Sequence, residues 1–293
     1  MTETLAYLLC VPGIPLAAFF VWLVGFARKS GNETRLPFLQ MPRPAGWSLQ
    51  MRCSELMEKI QFHLLLALFS GVFFAYVASV AKAPPAISLS LGMLASCAFL
   101  YHVGRLFIRY RNHRLGLIGE QVVGRLLDQI ACDTIKVFHD LEVRDPGGKP
   151  WNIDHVVVTP VAVFAIETKT RRKPKDSDHA GKAGYKVIFD GTQLLFPSPM
   201  RANRYGLKQA QENANWLSSK LTTLNGRPIP VTPVLVMPGW WVDRRGKGPV
   251  SVLNAKELPN FLSRRGETLS AQDQSAIAAQ LEERCQIDLS QPA

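Results

Sequence analysis

The sequence is poor in cysteine and histidine, and neither residue is spaced to hold a metal. Its five cysteines are Cys10, Cys53, Cys97, Cys132 and Cys285. None forms a CxxC pair and two fall in apolar runs, so neither a disulfide framework nor a cysteine zinc site is expected. The six histidines show no HxH or HExxH spacing, which leaves zinc chemistry without support. Internal repeats are lacking too. The N-terminus has no basic start: Met1-Thr2-Glu3-Thr4 leads straight into an apolar run. Gly25-Phe26-Ala27 is also a poor cleavage site, so that run reads as an anchor and not as a signal peptide.

What is present is divided sharply near Arg114. Mean hydropathy over the 293 residues is +0.04 and the formal net charge is +11. Residues 1–114 carry 11 Lys and Arg against 4 Asp and Glu; residues 115–293 carry 23 against 19. Most of the positive excess therefore flanks the apolar runs, where retention of basic loops on the cytoplasmic side explains it without nucleic acid.

Three transmembrane helices are expected, at about 5–26, 60–80 and 86–108, each near the ~20 residues that cross a hydrocarbon core. Pro12, Gly13 and Pro15 interrupt the first. Ala81-Lys82-Ala83-Pro84-Pro85 forms a tight turn between the other two. Basic residues cluster after the first run and after the third, from Arg28 to Lys59 and from Arg109 to Arg114. This places the chain in the inner (plasma) membrane as a multi-pass protein, N-terminus outside and soluble domain in the cytoplasm. The bilayer is the first expected partner, and packing between membrane helices offers a route to a homo-oligomer. The domain plan is 1–113 membrane region, 114–240 soluble domain, and 241–293 a C-terminal helical extension.

The soluble part reads as a mixed α/β domain. A helix begins near Gly116, with Leu117, Ile118, Val122, Val123, Leu126, Leu127 and Ile130 as its apolar stripe. Strands follow at Thr134–Val143, Asn152–Thr159 and Val161–Lys169, the last two joined tightly at Pro160. A hairpin turns at Asp190-Gly191. A long helix, Arg201–Leu224, precedes a buried strand, Ile229–Met237, and a short one at Val250–Leu253. Helices close the chain at Ala255–Ser263 and Ser270–Cys285.

Two adjacent strands carry charge where apolar residues belong. Asp154 interrupts Ile153–Val158, while Glu167 and Lys169 end the run Val161–Ile166. Residues two apart on a strand share a face, so Glu167 and Lys169 point the same way. A hairpin at Pro160 would set Asp154 beside Glu167. Two carboxylates with the backbone carbonyl of Thr168 suit a hard, oxygen-seeking cation such as Mg²⁺ or Mn²⁺. Lys169 would orient or deprotonate a water there, and the cation would shield charge developing on a phosphate.

This Asp-(x)₁₂-Glu-Thr-Lys arrangement resembles the PD-(D/E)xK nuclease signature. With Gly116-Leu117-Ile118-Gly119-Glu120 upstream, and with Asn152–Thr159 and Val163–Lys169 as they stand, residues 116–237 resemble the NERD, or nuclease-related, domain family. The resemblance implies a restriction-endonuclease-like fold and a metal-dependent nuclease acting on phosphodiester bonds in nucleic acid, expected to be DNA. Carried over by position, Asp154 and Glu167 ligate the metal, Lys169 serves the water, and Glu120 completes the acidic group through a water. Gln209 matches a glutamine that related nucleases set near the site, with Gln211 and Asn213 as alternatives.

Other readings stay open beside these. Glu167 and Lys169 also fit a solvated strand end with an ion pair. Arg171, Arg172, Lys173 and Lys175 fit either a solvated loop or phosphate contacts, with Lys182 and Lys186 nearby. Trp240-Trp241, ahead of Asp243-Arg244-Arg245-Gly246-Lys247, fits core packing better than base stacking. His155 and His139 read as packing or hydrogen-bonding residues and not as ligands. For the whole protein the rival is a non-catalytic, membrane-anchored nucleic-acid or protein interaction module that keeps the nuclease fold. A transporter is disfavoured, because apart from Arg105 near a segment end the segments offer only His63 and His102 as titratable groups.

Overall fold

The computed structural model describes residues 40–82, 84–144, 147–174, 184–197, 200–263 and 269–288. These divide into two compact units, one of residues 54–111 and one of residues 40–53 with 112–288.

Two long helices, α1 (Trp47–Ala81) and α2 (Pro85–Asp128), supply the first unit with residues 54–81 and 85–111 and continue into the second. Both are long and apolar enough to cross a membrane, with mean hydropathy of 2.0 and 1.6 in their most apolar windows. Small residues bring the pair together. A Cβ on Gly92 would sit 3.3 Å from Gly71 Cα. The Ser96 hydroxyl donates to the Ala67 carbonyl at 2.9 Å and lies 2.6 Å from the Ser70 hydroxyl. Close backbone approach with hydroxyls satisfied across the pair is how helices associate in an apolar solvent.

Three apolar helices were expected, and two are found among the described residues. The segment at 5–26 lies outside them. The other two run well past the expected 60–80 and 86–108, and the helix expected to begin near Gly116 is the C-terminal part of α2. The charges from Arg109 to Arg114 suggest a boundary, but the stretch holds neither proline nor glycine, so nothing in it stops an α-helix.

The second unit is a mixed α/β domain. Its main sheet has the order β2-β3-β4-β7-β9, from β2 (Lys136–Arg144), β3 (Pro150–Val158), β4 (Val163–Thr168), β7 (Val231–Val236) and β9 (Ser251–Leu253). The first three strands are antiparallel neighbours; β7 and β9 add in parallel. Strand alternation buries both faces. Val156, Val158, Val163 and Ala165 meet α3 (Tyr205–Asn225) and α5 (Ala271–Arg284) through Leu217, Leu221, Ile277 and Leu281. Val157, Phe164, Ile166 and Val234 meet α2 and the short α4 (Leu258–Leu262) through Val123, Leu127, Leu258 and Leu262.

A second sheet, β6-β5-β8, combines β5 (Lys186–Phe189), β6 (Leu194–Leu195) and β8 (Trp241–Arg244). Its β5–β6 hairpin turns at Asp190-Gly191 as expected. Gly191 has φ +103°, and the Asp190 carboxylate accepts from the Thr192 and Gln193 backbone N–H groups.

The ladder β1 (Gln40–Pro42) with β10 (Gln286–Asp288) was not foreseen. It ties the chain ahead of α1 to the C-terminal end of the domain.

Candidate active site

Alternation along β2 and β3 breaks at one place. Phe138 and Leu141, three apart, pack into the same core, as do Val156 and Ile153. In an unbroken strand such pairs would face opposite ways. The reset falls at Asp140, which has φ +51°, a left-handed conformation that costs a non-glycine residue roughly 1–3 kcal/mol. Asp140 is held there from outside its own strand. The Ser48 hydroxyl and backbone N–H donate to Oδ2 at 2.8 and 3.2 Å, and Asn152 donates to Oδ1 at 3.0 Å. Arg43 donates to Glu142 at 2.9 Å and lies 3.8 Å from the Asp140 carboxylate. Burial pushes the Asp140 carboxyl upward in spite of these partners.

The β3–β4 hairpin forms around Pro160, with His155 opposite Ile166. Asp154 and Glu167 follow directly beyond that last pair. The Thr168 backbone N–H donates to Asp154 Oδ2 at 2.7 Å, fixing the carboxylate against the end of β4. Glu167 is 1% exposed; its Oε1 meets Lys169 Nζ at 2.6 Å and its Oε2 accepts from Asn213 Nδ2 at 2.9 Å.

Glu120 comes from α2. The helix passes the end of β4 at Gly119, where a Cβ would collide with the Thr170 side chain. This glycine lets Glu120 reach the carboxylates of the strands. The result is a cavity of about 370 Å³ lined by Glu120, Asp154, Glu167, Lys169 and Gln209, with Asp140, Thr168, Tyr205 and Arg52 on its walls.

So many carboxyls buried around one cavity cannot all ionise freely. Glu120 is pushed up to about 8, by burial first and then by Asp140 and Glu167. Asp154 is raised well above the usual carboxylate range, by burial first and then by both glutamates. Burial also lifts Glu167, even with Lys169 and Asn213 beside it. For Lys169 burial works against the ammonium, but Glu167 and Asp154 outweigh it and hold the amine above its ordinary value. At neutral pH this lysine is a cation, suited to orienting a water or neutralising charge and not to taking a proton.

Of the three candidates on α3, Gln209 lines the cavity with a buried Oε1 that has no hydrogen-bond partner. Asn213, one turn on, holds Glu167 and accepts from Trp151 Nε1 at 3.1 Å. Gln211 donates to Asn215 on the exposed face. Among the described residues no three His, Cys, Asp or Glu side chains are disposed as a ready-made metal-binding group. His155 lies away from the cavity, its Nδ1 2.9 Å from His139 Nδ1, and His139 Nε2 is 2.9 Å from Asp128. Both are buried and hydrogen-bonded away from the acidic cavity.

Of the basic stretch, Arg171 stacks on Phe196 at 4.5 Å, Arg172 donates to Asn112 at 3.3 Å, and Lys173 lies 4.4 Å over Tyr185. Lys175 and Lys182 fall outside the described residues, and Lys186 pairs with Asp243 at 2.7 Å. The sequence pattern did not mark Ser48, Arg52 or Asp140 as site residues, and it offered Asn213 only as an alternative to Gln209. An aspartate in the middle of the apolar strand Phe138–Val143 was the one local signal for any of them.

A mixed sheet whose strand ends gather carboxylates and one lysine, with helix layers on both faces, defines an α/β domain built around an acidic cavity. The family model described as NERD, nuclease-related domain, matches residues 115–238. That stretch is therefore a nuclease-related domain, and every candidate in the cavity except those supplied by residues 48–52 and 112–113 lies within it. No curated protein matches the chain, and no solved structure does.

Proposed function

We propose that the protein is a membrane-tethered, metal-dependent nuclease of restriction-endonuclease-like fold that hydrolyses phosphodiester bonds in nucleic acid, with its soluble domain in the cytoplasm. The observation that carries this reading is the convergence of Glu120, Asp154, Glu167 and Lys169 in one cavity of a nuclease-related domain.

The donor set suits a hard cation. It is all oxygen, its carboxyls repel one another, and Gln209 adds a buried acceptor with no partner. Asp154, Glu167 and the Thr168 carbonyl would hold Mg²⁺ or Mn²⁺, with Glu120 acting through a water. Such a cation supplies an acidified water and a counter-charge for phosphate oxygens. The chain's own residues do the rest. Asn213 and Lys169 fix Glu167 from two sides. The Lys169 ammonium orients the attacking water and offsets charge on the phosphate. Arg52, on the cavity wall, offers a contact to a flanking phosphate.

The tether rests on α1 and α2. Phe62, Leu65, Leu68, Phe69 and Phe73 on α1, and Leu89, Met93 and Leu94 on α2, are exposed, which is costly in water and favourable in lipid. The basic flanks support the cytoplasmic orientation.

The test is cleavage by the full chain in detergent, offered supercoiled plasmid, single-stranded DNA and RNA with Mg²⁺, with Mn²⁺ and with chelator. Metal-dependent cleavage that is lost in Asp154→Ala and in Lys169→Ala is the expected result. Cleavage retained in both folded variants would refute the mechanism. Binding without cleavage by the native chain would assign the protein to the interaction-module class.

A further inference from the structure

Trp240 and Trp241 are adjacent but lie in different environments. Trp240 is fully buried, its indole N–H donating to the Arg171 carbonyl at 3.2 Å. Trp241 is 50% exposed. It lines a second cavity in the domain, about 820 Å³, larger than the acidic one and different in chemistry.

The walls of this cavity are largely apolar and aromatic, from Val122 on α2, Tyr185 and Trp241, and its charge is positive. Arg125, Lys173 and Lys256 line it. The single carboxylate among the lining residues, Glu257, is already neutralised: Arg244 donates to both its oxygens, at 2.7 and 2.9 Å. An occupant therefore needs flat apolar faces and negative charge together. An unpaired nucleic-acid strand has both, because its bases stack on aromatic rings while its phosphates meet Lys and Arg. A duplex keeps its base faces stacked inside and cannot use Trp241 in this way.

The two cavities are joined by a short length of chain. Lys169 lines the acidic cavity, Arg171 is pinned by Trp240, and Lys173 lines the aromatic cavity. On α2, Glu120 serves the first and Val122 and Arg125 serve the second.

We infer that the Trp241 cavity is a binding subsite for single-stranded nucleic acid, holding unpaired bases against Trp241 and phosphates against Arg125, Lys256 and Lys173, whose ammonium sits over the Tyr185 ring. This deepens the nuclease reading and rests on it for the identity of the ligand. It also gives the enzyme a preference for substrates with an unpaired segment next to the scissile bond.

The test is fluorescence anisotropy of the full chain in detergent with chelator present, so that no cleavage occurs. The probes are a labelled 20-nucleotide oligothymidylate and an abasic strand of equal length. Native protein should bind the base-bearing strand more tightly. Trp241→Ala should weaken that binding on the order of tenfold, the scale of one lost stacking contact, and leave the abasic strand unaffected. Arg125→Ala with Lys256→Ala should weaken both strands and flatten the salt dependence. Equal affinity of the Trp241→Ala and native proteins for the oligothymidylate, with native circular dichroism, would overturn the proposal. Base-selective binding without cleavage in Mg²⁺ would uphold the subsite and refute the nuclease reading. Cleavage without base selectivity would do the reverse.

Discussion

Replacing Glu120 with glutamine should stabilise the metal-free protein while disabling it. Glu120 is 8% exposed and keeps its proton up to about pH 8, so its folded-state value lies above that of the unfolded chain. The sign follows from linkage. The native state binds the extra proton, so its contribution to stability is complete below about 4.5 and is lost as pH rises through about 8. Keeping a carboxyl neutral between its ordinary value and pH 7, at about 1.4 kcal/mol per pH unit, corresponds to about 3 kcal/mol. Asp140, Asp154 and Glu167 share that strain, so the gain from Glu120→Gln at pH 7 lies at or below this figure. For a domain of this size that is a rise in melting temperature of up to roughly 10 °C. The assay is thermal unfolding of both full chains in detergent with chelator, followed by tryptophan fluorescence from pH 4.5 to 8.5. The two should melt together at pH 4.5 and separate progressively towards pH 8. Adding Mg²⁺ should then raise the native protein more than the variant and close the gap, because a bound cation relieves the same repulsion. A gap independent of pH, or a variant less stable than the native chain at pH 7, would refute the electrostatic account.

Two further outcomes test the packing that builds the site. Gly119→Ala drives a methyl into Thr170 and should destabilise the protein by roughly 1–3 kcal/mol with loss of activity, and Thr170→Ala in the same chain should recover part of the melting temperature. A chain shortened to begin at Asn112 loses Arg43, Ser48, Arg52 and strand β1; it should melt below a chain in which residues 40–53 are joined to it by a flexible linker, as calorimetry of the two would measure.

The legible part of this protein was local. An uninterrupted apolar run makes a helix whose surface favours lipid, whatever surrounds it. The unbroken apolar run Val161–Ile166 marks a strand buried on both faces, and Glu167 and Lys169 at its end are costly enough to mark a site. A tight connection at Pro160 makes β3 and β4 a hairpin, whose last pair, His155 with Ile166, leaves Asp154 and Glu167 side by side at the strand ends. Pattern also misled where it stood in for mechanism: the charges after Ile108 suggested a helix end, but without a breaker α2 continues to Asp128.

What only the tertiary structure decided depends on chain returning from far away. Ser48 holds Asp140 across a separation of 92 residues, and that contact fixes a left-handed aspartate in mid-strand which no propensity favours. Helical spacing put Gln209 and Asn213 on one face of α3, but only the docked sheet shows that Asn213 grips Glu167 while Gln209 is left with an unpaired oxygen. Nor could adjacent tryptophans be told apart until the fold had buried Trp240 and left Trp241 half-exposed. The sequence determined which segments must be buried, because the cost of exposing apolar surface is a property of each segment alone. The partners of the buried charges were decided by the fold, because a hydrogen bond needs two groups within about 3 Å and the chain alone does not set that distance.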